Sequence, residues 1–390
     1  MEKIQLKGIT WDHSRGYTPL VAASQRYHER HPNVEITWVK RSLQEFADYP
    51  IERLAESFDL LVIDHPWVGF ASVLGAVYAL DGLIAADELD NMAVHSVGAS
   101  FSSYKYDGKI WALPIDAATP VASYREDLLD NEGVDLPRTW PEVLALARKG
   151  KVAAPGIAVD VLMNFYMFCN AIGEAPFTTN QQVVSEDTGV RVLEAMREFY
   201  ACLSSECFSF NPIAVAERMS SSDSYLYCPF SYGYSNYARE GYAMHLLKFT
   251  DLVSYRGKQL NSTLGGTGLS ISASTAHAAI AADFAAWVAG EVHQRTMYTM
   301  NGGQPGHLAA WLCPQNNNLA NQYFHDTLPA LDRAYIRPRY PGYLHFQDHA
   351  GEPLQQFLRH GGNTRKVLAD MNDYYCQSRA LQNSLSKTYA

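Results

Sequence analysis

Charged and aromatic side chains follow each of three short apolar segments near the start of the chain. The segments are Ile4–Thr10, Val34–Val39 and Phe58–Ile63. The candidates that follow them are Trp11, Asp12, Arg15, Arg41, Asp64, His65 and Trp67. Carboxylates and guanidinium groups form strong charge-assisted hydrogen bonds with polar ligands, and aromatic faces pack against apolar ring surfaces. These residue types indicate a site that binds a small polar molecule.

The three apolar segments read as strands, and helical patterns separate them. Helices are predicted from about Thr18 to Arg30, which Pro32 ends, and over Leu43–Glu56. This alternation predicts a parallel sheet that is covered by helices on both faces. Ligands of open parallel sheets bind beyond the carboxyl ends of the strands, which is where all of these candidates lie.

The length, the net charge and the motifs of the chain limit the functions that it can have. Its 390 residues are enough for two or three domains, and its formal net charge of −10 argues against nucleic acid as a partner. The glycine turn Gly265–Gly268 is not followed by the Lys-Ser/Thr of a phosphate loop, and no G-x-S-x-G nucleophile elbow occurs. His13 and His65 lack the spacing of metal ligands. We therefore expect neither a metal nor any cofactor.

The rest of the chain predicts a second α/β region, reached through two extended segments that have no helix between them. Those segments, Ile110–Pro114 and Pro120–Tyr124, suit a crossover between two lobes. Further helices are predicted near Trp140–Arg148, Val161–Asn170, Asp187–Cys202, Pro212–Ser220 and Ala276–Ala289. A strand-like segment, Ser224–Cys228, leads into an aromatic stretch that ends at Tyr234.

Four stretches of the chain resemble, in order and spacing, a known family of binding proteins. Tyr124–Glu142 is similar to the "YNKDLFKKAGL-PPKTWDEL" signature of family 1 extracellular solute-binding proteins. Asp107–Pro114 looks like the approach to the hinge of that family, Gly265–Ile271 like its "GG-G-I" strand, and Gly361–Thr364 like its C-terminal element.

The resemblance implies an α/β fold of the two-lobed type II periplasmic-binding-protein kind, with parallel-sheet lobes joined by a multi-strand hinge. Residues 1–112 and 264–312 would form the first lobe, and residues 113–263 and 313–390 the second. A ligand would lie in the cleft and be enclosed by hinge closure. The resemblance adds as ligand-binding candidates Asp116, Asn164, Phe230, Tyr232, Gly266, Thr267 and Tyr343.

The function that the resemblance implies is capture of a small polar solute, in first place a carbohydrate, for an ABC importer. The partners would be that ligand and the membrane subunits of the importer, and we expect a monomer without catalytic activity. The expected location is the periplasm or the cell surface. Because Met1–Gln5 reads as a strand and not as a leader, a cytoplasmic sensor stays open as an alternative.

Two further alternatives remain at the level of sequence. Arg15 and Arg41 could clamp a carboxylate, so that the ligand would be an organic acid or a sugar acid. Alternatively, Asp12, Asp64 and Asp116 could act as acid and base in a glycoside-cleaving enzyme. Such an enzyme needs one carboxyl with a raised pKa opposite another one across the substrate.

Overall fold

The computed structural model describes residues 3–42 and 51–388, in which strands alternate with helices. The strands are β1 (Ile4–Trp11), β2 (Val34–Arg41), β3 (Leu60–Ile63), β4 (Lys105–Tyr106), β5 (Lys109–Ile110), β6 (Leu113–Ala118), β7 (Pro120–Tyr124), β8 (Tyr227–Tyr232), β9 (Lys248–Thr250), β10 (Ser254–Tyr255), β11 (Lys258–Gln259) and β12 (Gly265–Ile271). The helices are α1 (Ser14–Arg30), α2 (Ile51–Ser57), α3 (Val68–Leu74), α4 (Ala86–Val94), α5 (Ser100–Ser103), α6 (Glu126–Glu132), α7 (Trp140–Arg148), α8 (Ala158–Ile172), α9 (Glu186–Tyr200), α10 (Pro212–Ser221), α11 (Ala278–Ala289), α12 (Glu291–His293), α13 (Leu308–Trp311), α14 (Pro314–Leu319), α15 (Tyr323–Asp332), α16 (Tyr343–His360) and α17 (Thr364–Thr388). Short 3-10 helices cover His65–Trp67, Leu80–Gly82, Ser205–Ser209 and Ser235–Ala238, and a π-helical turn spans Gln294–Tyr298.

Five strands form the first sheet, in the order β2-β1-β3-β12-β6, and we call the region around it the first lobe. β1 is parallel to β2 and β3, as predicted, whereas β12 is antiparallel to β3 and β6. β12 is antiparallel because its first residues lie at the end of the sheet where β1 and β3 have their carboxyl ends, so that the strand runs back along them. β6 also belongs to this sheet, although its six residues lie just beyond the predicted lobe boundary at residue 112.

Helix α1 begins at Ser14, four positions before the predicted start near Thr18. The His13 side chain caps it, because the Nδ1 atom accepts a hydrogen bond of 3.0 Å from the backbone N–H of Arg15. Arg15 therefore lies in the first turn of a helix that follows β1 directly. The predicted helix Leu43–Glu56 lies partly outside the described residues, and its described part belongs to α2.

Three strands form the second sheet, in the order β8-β7-β9, and we call the region around it the second lobe. All described pairs of this sheet are antiparallel, in contrast to the parallel sheet predicted here. The reason is that β7 runs away from the first lobe while β8 runs back toward it, so that Pro120 pairs with Tyr232. Helices α8, α9, α16 and α17 pack on one another over the core of this lobe. Within the described residues, no helix is long and apolar enough to cross a membrane.

Three segments that pass between the sheets are hydrogen-bonded to one another. The Thr119 hydroxyl donates to the carbonyl of Thr263 at 3.0 Å. The backbone N–H of Leu264 donates to the carbonyl of Tyr335 at 2.7 Å, and the N–H of Tyr335 donates to the carbonyl of Ser262, also at 2.7 Å. The chain therefore crosses between the lobes through adjoining extended segments.

Candidate ligand-binding cleft

A cavity of about 660 Å³ lies between the two lobes. The carboxyl ends of β1 and β3 and the first residues of β12 face the N-terminal ends of α8 and α10 and one side of α16 across it. The lining residues are Trp11, Arg15, Asp64, Ala118, Ile157, Ala158, Val159, Asp160, Met163, Asn211, Pro212, Tyr232, Tyr234, Gly265, Gly266, Thr267, Arg337, Gln347, Asp348 and Gln355. Cavities of small-molecule sites span about 300–1,000 Å³, so that this one can enclose a small solute.

Arg15 joins the two lobes on one side of the cavity. Its guanidinium forms a bidentate ion pair with Asp116 of β6, with Nε donating to Oδ2 at 2.8 Å. Nη1 donates to the carbonyl of Gly233 in the second lobe at 2.9 Å, and the guanidinium lies 4.6 Å from the ring centre of Tyr234. Asp116, a predicted ligand-binding residue, therefore lies behind Arg15 and holds its guanidinium in place.

A second ion pair joins the lobes on another side of the cavity. Asp64, just after β3, accepts a hydrogen bond of 2.5 Å from Nη2 of Arg337. Nη1 of Arg337 also donates to Oε1 of Gln347 on α16 at 2.9 Å. Burial opposes ionisation of Asp64, but the charge of Arg337 and a hydrogen bond with His65 hold the pKa of its carboxyl below its usual range.

Aromatic rings supply flat surfaces to the same cavity. Trp11 stands at the end of β1, whereas Tyr232 and Tyr234 come from the end of β8 and the residues after it. Two glycines at the start of β12 make room for this arrangement. A Cβ atom on Gly265 would lie 2.5 Å from the ring of Tyr232, and one on Gly266 would lie 2.3 Å from a backbone oxygen of β6.

Three buried polar atoms of the cavity-lining residues have no hydrogen-bond partner in the described part of the chain. They are Oδ2 of Asp160, Oγ1 of Thr267 and Nε of Arg337. The three residues are only 6%, 5% and 4% exposed. A buried polar group without a partner costs about 1–3 kcal/mol. A ligand that brings hydrogen-bond donors and acceptors into the cavity would remove that cost.

Asp160 differs from Asp64 and Asp116 because it forms no ion pair with a cation in the described part of the chain. It lies in the first turn of α8, and burial alone raises the pKa of its carboxyl from 3.8 to about 8. The carboxyls of Asp64 and Asp116 each face an arginine instead.

Six predicted site residues lie together around this cavity. They are Trp11, Arg15, Asp64, Tyr232, Gly266 and Thr267. Trp11, Arg15 and Asp64 stand at or just after the carboxyl ends of β1 and β3, where ligands of parallel sheets bind. Gly266 and Thr267 lie at the start of β12, and Tyr232 lies at the end of β8. That they bind the ligand stays a prediction.

Asp12 and Arg41 were also predicted from strand ends, but neither lines the cavity. Asp12 is exposed and pairs with Lys40, Oδ1 to Nζ at 2.8 Å. Successive side chains of an extended segment point to opposite sides, so that Asp12 faces away while its neighbour Trp11 faces the cavity. Arg41 donates to the carbonyl of Val62 at 3.4 Å, and its strand, β2, forms the sheet edge farthest from β12.

His65 and Trp67 lie behind the cavity wall, in contrast to their prediction as ligand contacts. His65 is 1% exposed, and its Nδ1 atom lies 3.1 Å from Oδ1 of Asp64. Burial and the charge of Arg337 lower the pKa of His65 to about 4. Trp67 packs edge-on against Phe70. Both residues belong to a short 3-10 helix that carries their side chains into the first lobe.

Asn164, Phe230 and Tyr343, all predicted as ligand-binding residues, lie in the core of the second lobe and do not line the cavity. Phe230 is fully buried, because it lies inside β8 and not at its end. Tyr343 is equally buried, with its hydroxyl 3.3 Å from that of Tyr166. Asn164 donates to the hydroxyl of Tyr200 at 2.9 Å.

Several cavity residues were not among the predicted ones, most notably Tyr234, Asp160 and Arg337. Tyr234 ends the aromatic stretch after β8, and its position two residues beyond Tyr232 could have indicated it. Asp160 directly precedes the predicted helix over Val161–Asn170. Nothing in the sequence near Arg337 indicates a role, because its position depends on contacts with distant elements.

The fold and the cleft are those of a two-lobed solute-binding protein. Maltose-bound MalE3 of T. maritima has a TM-score of 0.81 at 16% identity, over 95% of this chain and 99% of that one. A ribitol-bound ABC transporter solute-binding protein of Agrobacterium radiobacter has a TM-score of 0.81 at 17% identity, over 96% and 99%. The GacH receptor of Streptomyces glaucescens, solved with and without acarbose, has a TM-score of 0.79 at 17% identity, over 97% and 99%. The predicted two-lobed α/β fold is therefore confirmed.

Residues 22–310 match the sequence profile that describes bacterial extracellular solute-binding proteins. The chain belongs to this family. The resemblance that the four sequence stretches indicated is thereby confirmed, and the family is one of binding proteins.

Proposed function

We propose that the protein captures a small polyhydroxylated solute, a carbohydrate or a polyol, and delivers it to the membrane subunits of an ABC importer. The observation that carries this proposal is the set of unpartnered buried atoms on Asp160, Thr267 and Arg337. One is an oxygen of a carboxyl group, one a hydroxyl and one an N–H donor. A sugar hydroxyl can both donate and accept, so that a polyhydroxylated ligand can satisfy all three.

Aromatic surfaces and solved relatives support the same class of ligand. The rings of Trp11, Tyr232 and Tyr234 offer the flat surfaces on which sugar C–H faces pack. Structural neighbours of the protein are described with maltose, ribitol and acarbose bound.

The arrangement of arginines disfavours a small carboxylate as the ligand. Arg15 is engaged by Asp116 and Arg337 by Asp64, whereas Arg41 lies outside the cavity lining. The clamp of Arg15 and Arg41 considered from the sequence is therefore not assembled here. A carboxylate ligand would have to compete with a buried aspartate for either guanidinium.

We infer further that the solute leaves the cleft chemically unchanged. Of the carboxyls considered for acid and base roles, Asp64 and Asp116 are paired with arginines and Asp12 is exposed. Recovery of the ligand intact after long incubation, followed by NMR, would support this inference, and the appearance of products would contradict it.

We infer that the protein acts as a monomer in the periplasm or at the cell surface, in keeping with an extracellular family.

A thermal-shift screen tests the proposed ligand class. The panel holds neutral mono- and oligosaccharides, polyols and small carboxylates. A ligand at 100 times its Kd adds about 2.7 kcal/mol to the free energy of unfolding, and we expect shifts with saccharides or polyols. Shifts with carboxylates alone would overturn the proposal, and so would no shift with any compound.

A matched pair of threonine variants tests whether that ligand occupies the cavity. Thr267→Val removes the unpartnered hydroxyl, and we expect it to weaken binding by about fivefold, the equivalent of about 1 kcal/mol. Thr37→Val changes an exposed threonine of β2 and leaves affinity unchanged. Titration calorimetry gives both affinities, and equal affinities in the two variants would contradict the assigned site.

A further inference from the structure

The charged groups around the cavity do not balance. Arg15 is neutralised by Asp116 through a buried ion pair, and Arg337 by Asp64 through a partly buried one. Among the described residues that line the cavity there is no lysine, histidine or further arginine. Asp160 therefore adds a buried carboxyl that no cation of the lining compensates. Asp348, a further acid of the lining, is exposed to solvent.

The surroundings of Asp160 disfavour ionisation of its carboxyl group. The residue is only 6% exposed, and its Oδ2 atom has no hydrogen-bond partner in the described part of the chain. Together with burial, its charge raises the pKa of Tyr200, Cys228, Tyr232 and Tyr234. Burial accordingly raises the pKa of Asp160. If this carboxyl is ionised it needs a compensating charge, and a cation that arrives with the ligand would supply one.

We propose that Asp160 is the specificity-determining residue of the cleft and selects solutes that carry a protonated amine, such as amino sugars or amino polyols, over their neutral counterparts. This inference rests on the proposed function, because it names the ligand class of the same cavity. The ammonium group of the ligand pairs with the Asp160 carboxylate, whereas its hydroxyls meet Thr267 and the Nε atom of Arg337. Asp160 gives up its proton to solvent on pairing, because a neighbouring cation favours the ionised form.

Matched pairs of ligands test the proposal on the full chain. We would compare D-glucosamine with D-glucose, 1-amino-1-deoxy-D-mannitol with D-mannitol, and chitobiose with its neutral N,N′-diacetyl form, by titration calorimetry. The expected result is that at least one amine binds tenfold or more tightly than its neutral partner. Neutral members that bind as well as the amines, or better, would overturn the inference and leave the proposed function standing. An absence of binding across all pairs would overturn both.

Variants separate the role of Asp160 from the overall charge of the protein. Asp160→Asn should remove the preference for amines, so that the affinities within a pair come within about twofold. Asp187→Asn removes one carboxylate from the surface of α9, where the side chain is 80% exposed, and should leave the preference intact. Persistence of the preference in Asp160→Asn, or its loss in Asp187→Asn, would overturn the assignment. Circular dichroism of both variants checks that each is folded.

Discussion

At the scale of single residues, Asp160 makes the stability of the protein depend on pH in an unusual direction. Its pKa is about 8 in the folded state against 3.8 for the ordinary group. The folded protein therefore holds a proton that the unfolded chain releases, and stability falls as the pH rises through this window.

Asp160→Asn should remove this dependence. We expect the free energy of unfolding of the variant, relative to wild type, to increase by up to about 1.4 kcal/mol per pH unit between pH 4 and 8. Urea denaturation at pH 5, 6, 7 and 8 measures it. The buried histidines titrate in both proteins and cancel in the difference. A difference that is the same at pH 5 and pH 8 would show that Asp160 is not protonated in the folded state.

The Arg15–Asp116 pair provides the second prediction at this scale. Arg15→Met leaves Asp116 buried without its cation, and loss of one partner of a buried pair costs about 3–5 kcal/mol. The double variant Arg15→Met/Asp116→Leu should recover most of this, because replacing the whole pair avoids the uncompensated charge. The carbonyl of Gly233 keeps the donor Nε2 of Gln304 in either variant. A double variant as unstable as the single one, by chemical denaturation, would contradict the expectation.

Residue by residue, the sequence was informative where a side chain follows a strand directly. Trp11, Arg15 and Asp64 were found in this way, because the end of a strand fixes where the next side chain stands. Phe230 was also predicted as a ligand contact, but it lies inside β8, and its side chain is buried in the core of the second lobe. Arg337 could not be found, because it reaches the cavity only through partners from β3 and α16 that are distant in sequence.

At the scale of elements, the start of β12 shows how closely the strands approach at the cleft. Gly266 has a φ of +96°, and a Cβ atom there would meet the backbone of β6. Gly108 has a φ of +76° in the turn between β4 and β5, with nothing within 4 Å of such an atom. A comparison of the same substitution at these two glycines therefore separates the effect of crowding from the effect of backbone conformation.

Gly266→Ala should therefore destabilise the protein more than Gly108→Ala does. Both variants carry the cost of a positive φ, about 1–2 kcal/mol, and overpacking adds about 1–3 kcal/mol at Gly266 alone. Calorimetric melting of the two variants against wild type measures the difference. Equal losses of Tm would mean that β6 moves aside without cost.

The elements themselves were largely predictable, whereas their directions were less so. Apolar alternation and helix periodicity indicated β1, β2, β3 and the helices α7, α8, α9 and α10 of the second lobe. The antiparallel direction of β12 and of the second sheet depends on where the chain crosses between lobes, which local patterns do not encode. The early start of α1 depends on the cap formed by His13, a residue less typical of caps than Asp or Ser.

At the scale of the whole molecule, Arg337 ties the two lobes together without ligand. It bridges Asp64 of the first lobe and Gln347 of the second. Arg333→Met is a matched control, because Arg333 pairs with Asp251, which directly follows β9 of the second sheet. We expect Arg337→Met, and not the control, to increase the radius of gyration of the free protein in small-angle X-ray scattering. Identical radii in all three proteins would mean that other contacts hold the lobes together.

The place of β12 in the first sheet has a consequence for how a new chain acquires its shape. A ribosome delivers β1, β2, β3 and β6 long before β12, yet β12 lies between β3 and β6 and is hydrogen-bonded to both. Until residues 265–271 are made, those two strands lack their shared neighbour, and contacts between such distant segments form slowly. The nascent first lobe thus stays incomplete while most of the chain is synthesised. The five-stranded order of the first sheet can therefore be completed only after Ile271 has left the ribosome.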